Sequence, residues 1–88
     1  MGSLPGDGIV HYYPNPAISN ITFDLQKASD KGYTLEIYTF LGQRKGSTIN
    51  IADRYTLNLT DFYPGIYVYK LKDRNGNVIE TGKFQCSK

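Results

Sequence analysis

Residues 55–71 constrain the fold more than any other stretch of this chain. They hold two alternating runs, Tyr55-Thr56-Leu57-Asn58-Leu59 and Tyr67-Val68-Tyr69-Lys70-Leu71, separated by Thr60-Asp61-Phe62-Tyr63-Pro64-Gly65. Side chains alternate between the faces of a strand, so Tyr55, Leu57 and Leu59 share one side, and Tyr67, Tyr69 and Leu71 share one side of the next strand. Each run therefore has one apolar and one polar face and must be half-buried in a sheet. Pro64-Gly65 predicts a type II turn between them, because proline presets φ and glycine accepts the positive φ that follows.

The same grammar extends to both ends. Residues 9–13 read as an edge strand stopped by Pro14-Asn15-Pro16, which removes ladder donors and imposes a bend. Residues 20–26 form a half-buried strand with Ile21, Phe23 and Leu25 inward, and the polar stretch 27–32 ends in glycine as a hairpin loop would. Residues 33–40 give the next strand, with Leu35 and Ile37 inward and Glu36 outward. Gly42 turns it back into a more polar strand over residues 43–51, where Gly46 marks a bulge or an edge. Asn75-Gly76 predicts a type I′ hairpin, and residues 78–86 close the chain with a phase slip near Gly82. No segment shows the roughly 3.6-residue period of a helix, and no internal repeat occurs.

About seven short strands at this spacing predict an all-β fold, an immunoglobulin-like antiparallel β-sandwich. Tyr67 stands just past the corner, where such sandwiches carry a tyrosine whose hydroxyl ties the loop to the core. Phe62 is its apolar plug. At 88 residues the chain is one small domain with a thin core. Eight tyrosines and four phenylalanines favour strands, as does the spread of β-branched residues.

Several function classes lack support. The net charge is +2 and the cations are scattered, so no nucleic-acid footprint forms. Cys86 is alone, which leaves neither an internal disulfide nor a thiolate cluster, and is read as a small buried hydrophobe. His11, the one histidine, has no nucleophile elbow to serve, and the carboxylates are dispersed, so neither an enzyme nor a cofactor is expected. Asp73, Asn75 and Asn77 alternate like calcium-loop ligands but lack the rest of that frame, and the hairpin already accounts for them. No metal is expected. The triplets Asn20-Ile21-Thr22 and Asn58-Leu59-Thr60 match glycosylation acceptors but fall within predicted strands. Tyr12, Tyr13, Tyr38, Tyr63 and Tyr69 open an alternative, a carbohydrate-binding module that stacks sugars on exposed rings. An inert immunoglobulin-like spacer is a third reading. No membrane-spanning helix is predicted. Residues 1–8 are read as an expression remnant followed by a flexible linker, and residues 9–88 as the folded domain, a monomer.

Three landmarks stand in order: Tyr13-Pro14-Asn15-Pro16-Ala17, then Phe62-Tyr63-Pro64-Gly65-Ile66-Tyr67, then Gly82-Lys83-Phe84 through Lys88. Leu35-Glu36-Ile37-Tyr38-Thr39-Phe40-Leu41-Gly42 lies between the first two. This arrangement closely resembles the C-terminal sorting domain of the type IX (Por) secretion system, type A. The resemblance implies a β-sandwich signal at the end of a larger secreted cargo. It passes through the periplasm in transit, is recognised by the outer-membrane translocon, and is removed by a sortase-like peptidase near residues 4–9 as the cargo is attached at the cell surface. Carried onto this chain, the motifs make Pro14, Asn15, Pro16 and Tyr67 architectural; Phe62 under the corner and the turn glycines Gly42 and Gly76 are read as architectural from their own local chemistry. Gly65, Lys83 and Lys88 are expected to contact the translocon. Thr39 departs from the family pattern, where an acidic or amide residue is common, and is expected to loosen the turn before Gly42.

Overall fold

The computed structural model describes residues 9–25 and 32–87. Their alternating pattern folds as seven strands: β1 (Val10–Tyr13), β2 (Asn20–Leu25), β3 (Thr34–Thr39), β4 (Ile49–Asn50), β5 (Arg54–Asn58), β6 (Gly65–Lys72) and β7 (Val78–Cys86). They form two antiparallel sheets, ordered β1-β2-β5 and β4-β3-β6-β7. The inward sets predicted from alternation meet in one core: Ile21, Phe23 and Leu25 from β2, Leu35 and Ile37 from β3, Tyr67, Tyr69 and Leu71 from β6. Phe23 is its aromatic centre, with Tyr69 5.4 Å and Phe84 5.8 Å away, both edge to face. Cys86 is buried at 1% exposure, so its thiol is closed to intermolecular pairing.

Topology departs from the expected hairpins at β2 and β3. These strands belong to different sheets, so the connection crosses the sandwich instead of closing a hairpin; residues 26–31 lie outside the described residues. The predicted strand over 43–51 shrinks to the two-residue β4 plus an isolated bridge from Arg44 to Tyr38, because Gly46 takes a φ of +81° and breaks the ladder. The turn before it is tight. Thr39 N–H donates to Gln43 O at 2.8 Å, and Gln43 N–H donates to the Thr39 hydroxyl at 3.1 Å. The hydroxyl thus performs the capping expected of an acid or amide, and Thr39 does not loosen the turn.

The corner between β5 and β6 follows its prediction in outcome but not in geometry. The turn sits earlier, where Phe62 N–H donates to Leu59 O at 3.0 Å, and Asn58 Oδ1 accepts Thr60 N–H at 2.8 Å. Gly65 already belongs to β6, with a φ of +151°, far from the value near +80° of a type II turn. The tyrosine corner is present: the Tyr67 hydroxyl donates to Tyr63 O at 2.7 Å, and buried Phe62 packs edge to face on Tyr67 at 5.0 Å.

The β6–β7 hairpin forms, with a different turn. Among the described residues no non-glycine has positive φ, while Gly76 sits at +88°. Gly76 N–H donates to Asp73 O at 3.0 Å. A type I turn followed by a left-handed glycine results, not a type I′ turn, which would need Asn75 at positive φ as well. The register shift falls where Leu71 pairs Glu80 and Lys72 pairs Val78, which makes Ile79 the extra residue. No slip occurs at Gly82. Glu80, Gly82, Phe84 and Cys86 share the inner face, and Gly82 is there for space: a Cβ at this position would lie 2.6 Å from Cε2 of Tyr69 and nearer still to Cζ and Oη.

Candidate functional site

Pro14-Asn15-Pro16 joins β1 to β2 within one sheet and, on the way, lays the chain against the edge strand β7 of the other. Both X-Pro bonds are cis, and Ala17 emerges in a parallel bridge to Cys86 on β7. Ala17 N–H donates to Gln85 O at 2.8 Å, and Ser87 N–H to Ala17 O at 2.7 Å. Asn15 adds a bond from its side chain, whose Oδ1 accepts Gln85 N–H at 3.1 Å. Just upstream the Tyr12 hydroxyl donates to Lys83 O at 2.6 Å. Edge strands expose unpaired backbone groups that invite pairing with other chains; these four bonds cover the terminal half of β7. The Glu80 carboxylate reinforces the arrangement by accepting Ile9 N–H at 2.6 Å.

The docking places the first and last landmarks on one surface. Lys83 is exposed on the outer face of β7, opposite Val68, with its Nζ 5.9 Å from the Phe40 ring. Asn15, Phe40, Ile66, Lys83 and Gln85 line a shallow groove of about 300 Å³. Gly65 lies one residue before Ile66 and pairs with Cys86; a Cβ there would meet nothing within 4 Å. Asn15, Gly65 and Lys83 are therefore brought together, whereas Tyr67 and Phe62 build the corner beneath and Gly76 sits at the far end of β6. Lys88 lies outside the described residues. Phe40, 64% exposed, and Leu41, 90% exposed, escaped the sequence reading as surface features, because alternation alone gives no reason for a strand end to stay uncovered.

Glu36 stands on β3 with the orientation expected of it. It points to the outer face, as alternation requires, yet is 5% exposed. The Tyr38 hydroxyl donates to it at 2.6 Å, Arg44 Nη1 at 3.1 Å and Lys72 Nζ at 3.2 Å. The Tyr38 hydrogen bond, with help from Lys72 and Arg44, holds its carboxyl below the usual carboxylate range despite burial, and the same bond pushes the Tyr38 phenol up. This cluster pins the irregular segment after Gly42 onto β3 and β6. Nearby, Arg44 and Lys72 were legible as cations only, since their convergence needs the sheet.

A second cavity, about 610 Å³, opens between the sheets beside β4 and β5, over Ile37, Tyr55, Leu57 and Phe62. Lys45 closes one side by donating to Asp61 O at 3.0 Å. The tyrosines do not form a platform. Tyr69 is buried, Tyr12 packs on it at 5.4 Å, and Tyr38 is held by Glu36, which leaves Tyr13 and Tyr63 as the exposed pair of the five. Asp73 Oδ1 accepts Asn75 and Asn77 N–H groups at 2.9 and 3.0 Å, so its carboxylate serves the hairpin. Among the described residues no group of three or more His, Cys, Asp and Glu could hold a metal ion. Among the described residues no helix is long and apolar enough to cross a membrane.

The family model of the secretion system C-terminal sorting domain matches residues 11–84. The chain belongs to this family. The match begins in β1 and ends in β7, so it encloses Pro14-Asn15-Pro16, the tyrosine corner and Lys83. No match was found among curated proteins or among solved structures. The sorting domain is a type IX C-terminal secretion signal. It acts with the secretion system on a fused cargo, whose destination is the cell surface or the extracellular space.

Proposed function

We propose that the sorting domain is read as a folded surface, with Gly65, Lys83 and Lys88 contacting the outer-membrane translocon, and that it is a substrate and not an enzyme. Residues 9–88 form the signal and residues 1–8 comprise an expression remnant and a linker. In this reading the cargo passes through the periplasm, and a sortase-like peptidase then cuts in the linker while the cargo is attached at the surface. The observation that carries it is the docking of Asn15 and Ala17 on Gln85, which assembles residues from both ends of the signal beside Lys83 only when the domain is folded. Exposed single lysines add little to stability, so Lys83 is free to serve recognition.

The test fuses the domain behind a passenger in a type IX host. Export of the wild-type fusion and periplasmic retention of a fusion lacking residues 83–88 are expected. Normal secretion of the truncated fusion would sink the assignment.

A further inference from the structure

The groove beside Lys83 has a chemistry of its own. Phe40 and Ile66 offer it apolar surface at 64% and 39% exposure. Asn15 and Gln85 bring amide groups, Lys83 brings a cation, and among the described residues no carboxylate lines it. On the same outer face Lys70 Nζ stands 4.6 Å from the Tyr38 ring. Glu36, the buried carboxylate of that face, is already committed to Arg44 and Lys72. The face is thus cationic around an apolar hollow, which is the complement of an acidic, apolar segment.

We infer that the groove seats one large apolar side chain of a translocon segment that also carries carboxylates, with Lys83 taking a carboxylate and the Asn15 and Gln85 amides pairing with the segment's backbone. The inference rests on the reading above, that Lys83 is a translocon contact, and adds Phe40, Ile66 and Asn15 to the interface. At about 300 Å³ the hollow stands at the small end of ligand pockets, which suits a side chain and its flanking peptide. An acyl chain finds no enclosed slot beside so exposed a ring. Lys83 over Phe40 is held ready, since a cation over an aromatic face is attracted to it.

Two measurements test this. In the passenger fusion, Phe40→Ser combined with Ile66→Thr is expected to lower export at least tenfold, as is Lys83→Glu, while Lys83→Arg exports normally; thermal melts of the purified domains verify folding. Wild-type export by the Phe40 and Ile66 variant overturns the groove but leaves Lys83 recognition standing, provided Lys83→Glu fails. Normal export by Lys83→Glu overturns both. The second measurement needs no variant. A short peptide with phenylalanine flanked by aspartates should shift the backbone amide resonances of Phe40, Ile66 and Lys83, and the same peptide with lysines in place of the aspartates should not. Equal shifts from both peptides, or none from the acidic one, overturn the inference. So does binding of the domain to vesicles containing anionic phospholipid that Phe40→Ser abolishes, since the occupant would then be lipid.

Discussion

Gly82→Ala separates two physical accounts of the same residue. If glycine were a mere weakness in β7, alanine would stabilise the strand by about 0.5 to 1 kcal/mol through reduced chain entropy. The structure demands the opposite. The new Cβ would fall 2.6 Å from Tyr69 Cε2, about 1 Å inside ordinary carbon–carbon contact. Tyr69 is 4% exposed and cannot swing away, because Tyr12 and Phe23 each meet its ring at 5.4 Å. Overpacking of this kind costs about 1 to 3 kcal/mol. Less the strand gain, the difference spans about 0 to 2.5 kcal/mol. An approach this close to three atoms of a wedged ring puts it in the upper part of that range, a net loss of about 1 to 2.5 kcal/mol or roughly 4 to 20 °C in Tm for a domain of this size. Urea unfolding followed by tyrosine fluorescence measures it. In a Tyr69→Leu background the obstructing ring is absent, so the same Gly82→Ala change should cost less than about 0.5 kcal/mol, and the cycle should show a coupling above about 1 kcal/mol. Wild-type or higher stability for the single Gly82→Ala variant would refute the close-approach argument.

Two other outcomes follow from the packing. Tyr67→Phe removes the hydroxyl bonded to Tyr63 O while keeping the stacked ring at 5.6 Å from Phe84, so urea unfolding should register a loss of about 0.5 to 1.5 kcal/mol; an unchanged midpoint would remove the corner from the list of stabilising features. Glu36 has its folded-state pKa depressed, chiefly by the Tyr38 hydrogen bond, so its contribution is complete above the unfolded carboxyl value of about 4.3 and is lost as pH falls through the lower folded value. Glu36→Gln should therefore be less stable than wild type near neutrality, by about 1 to 2 kcal/mol given its partly exposed partners, and should show a flatter stability profile below about pH 4.3; parallel profiles for the two proteins would refute the assignment.

What the sequence alone determined was local. Period-two alternation selected the inward residues of β2, β3 and β6, because the direction of a strand side chain depends only on its place in the pleat. Tyr67 and Phe62 were legible because a corner tyrosine is recognised by its offset from a turn, and the ordered landmarks indicated the family. Tertiary structure decided everything that joins distant residues. Alternation does not say which strands pair, so the crossing from β2 to β3 read as a hairpin. It does not say what covers an outward carboxylate, so the closing of Arg44, Tyr38 and Lys72 over Glu36 was not legible. Gly82 read as a bulge because its true cause, the Tyr69 ring on the neighbouring strand, lies thirteen residues away in sequence. The candidate site is the strongest case. Asn15 and Gln85 stand 70 residues apart, and only the packing of the two sheets makes their hydrogen bond, with Phe40 and Lys83 beside it, a single surface.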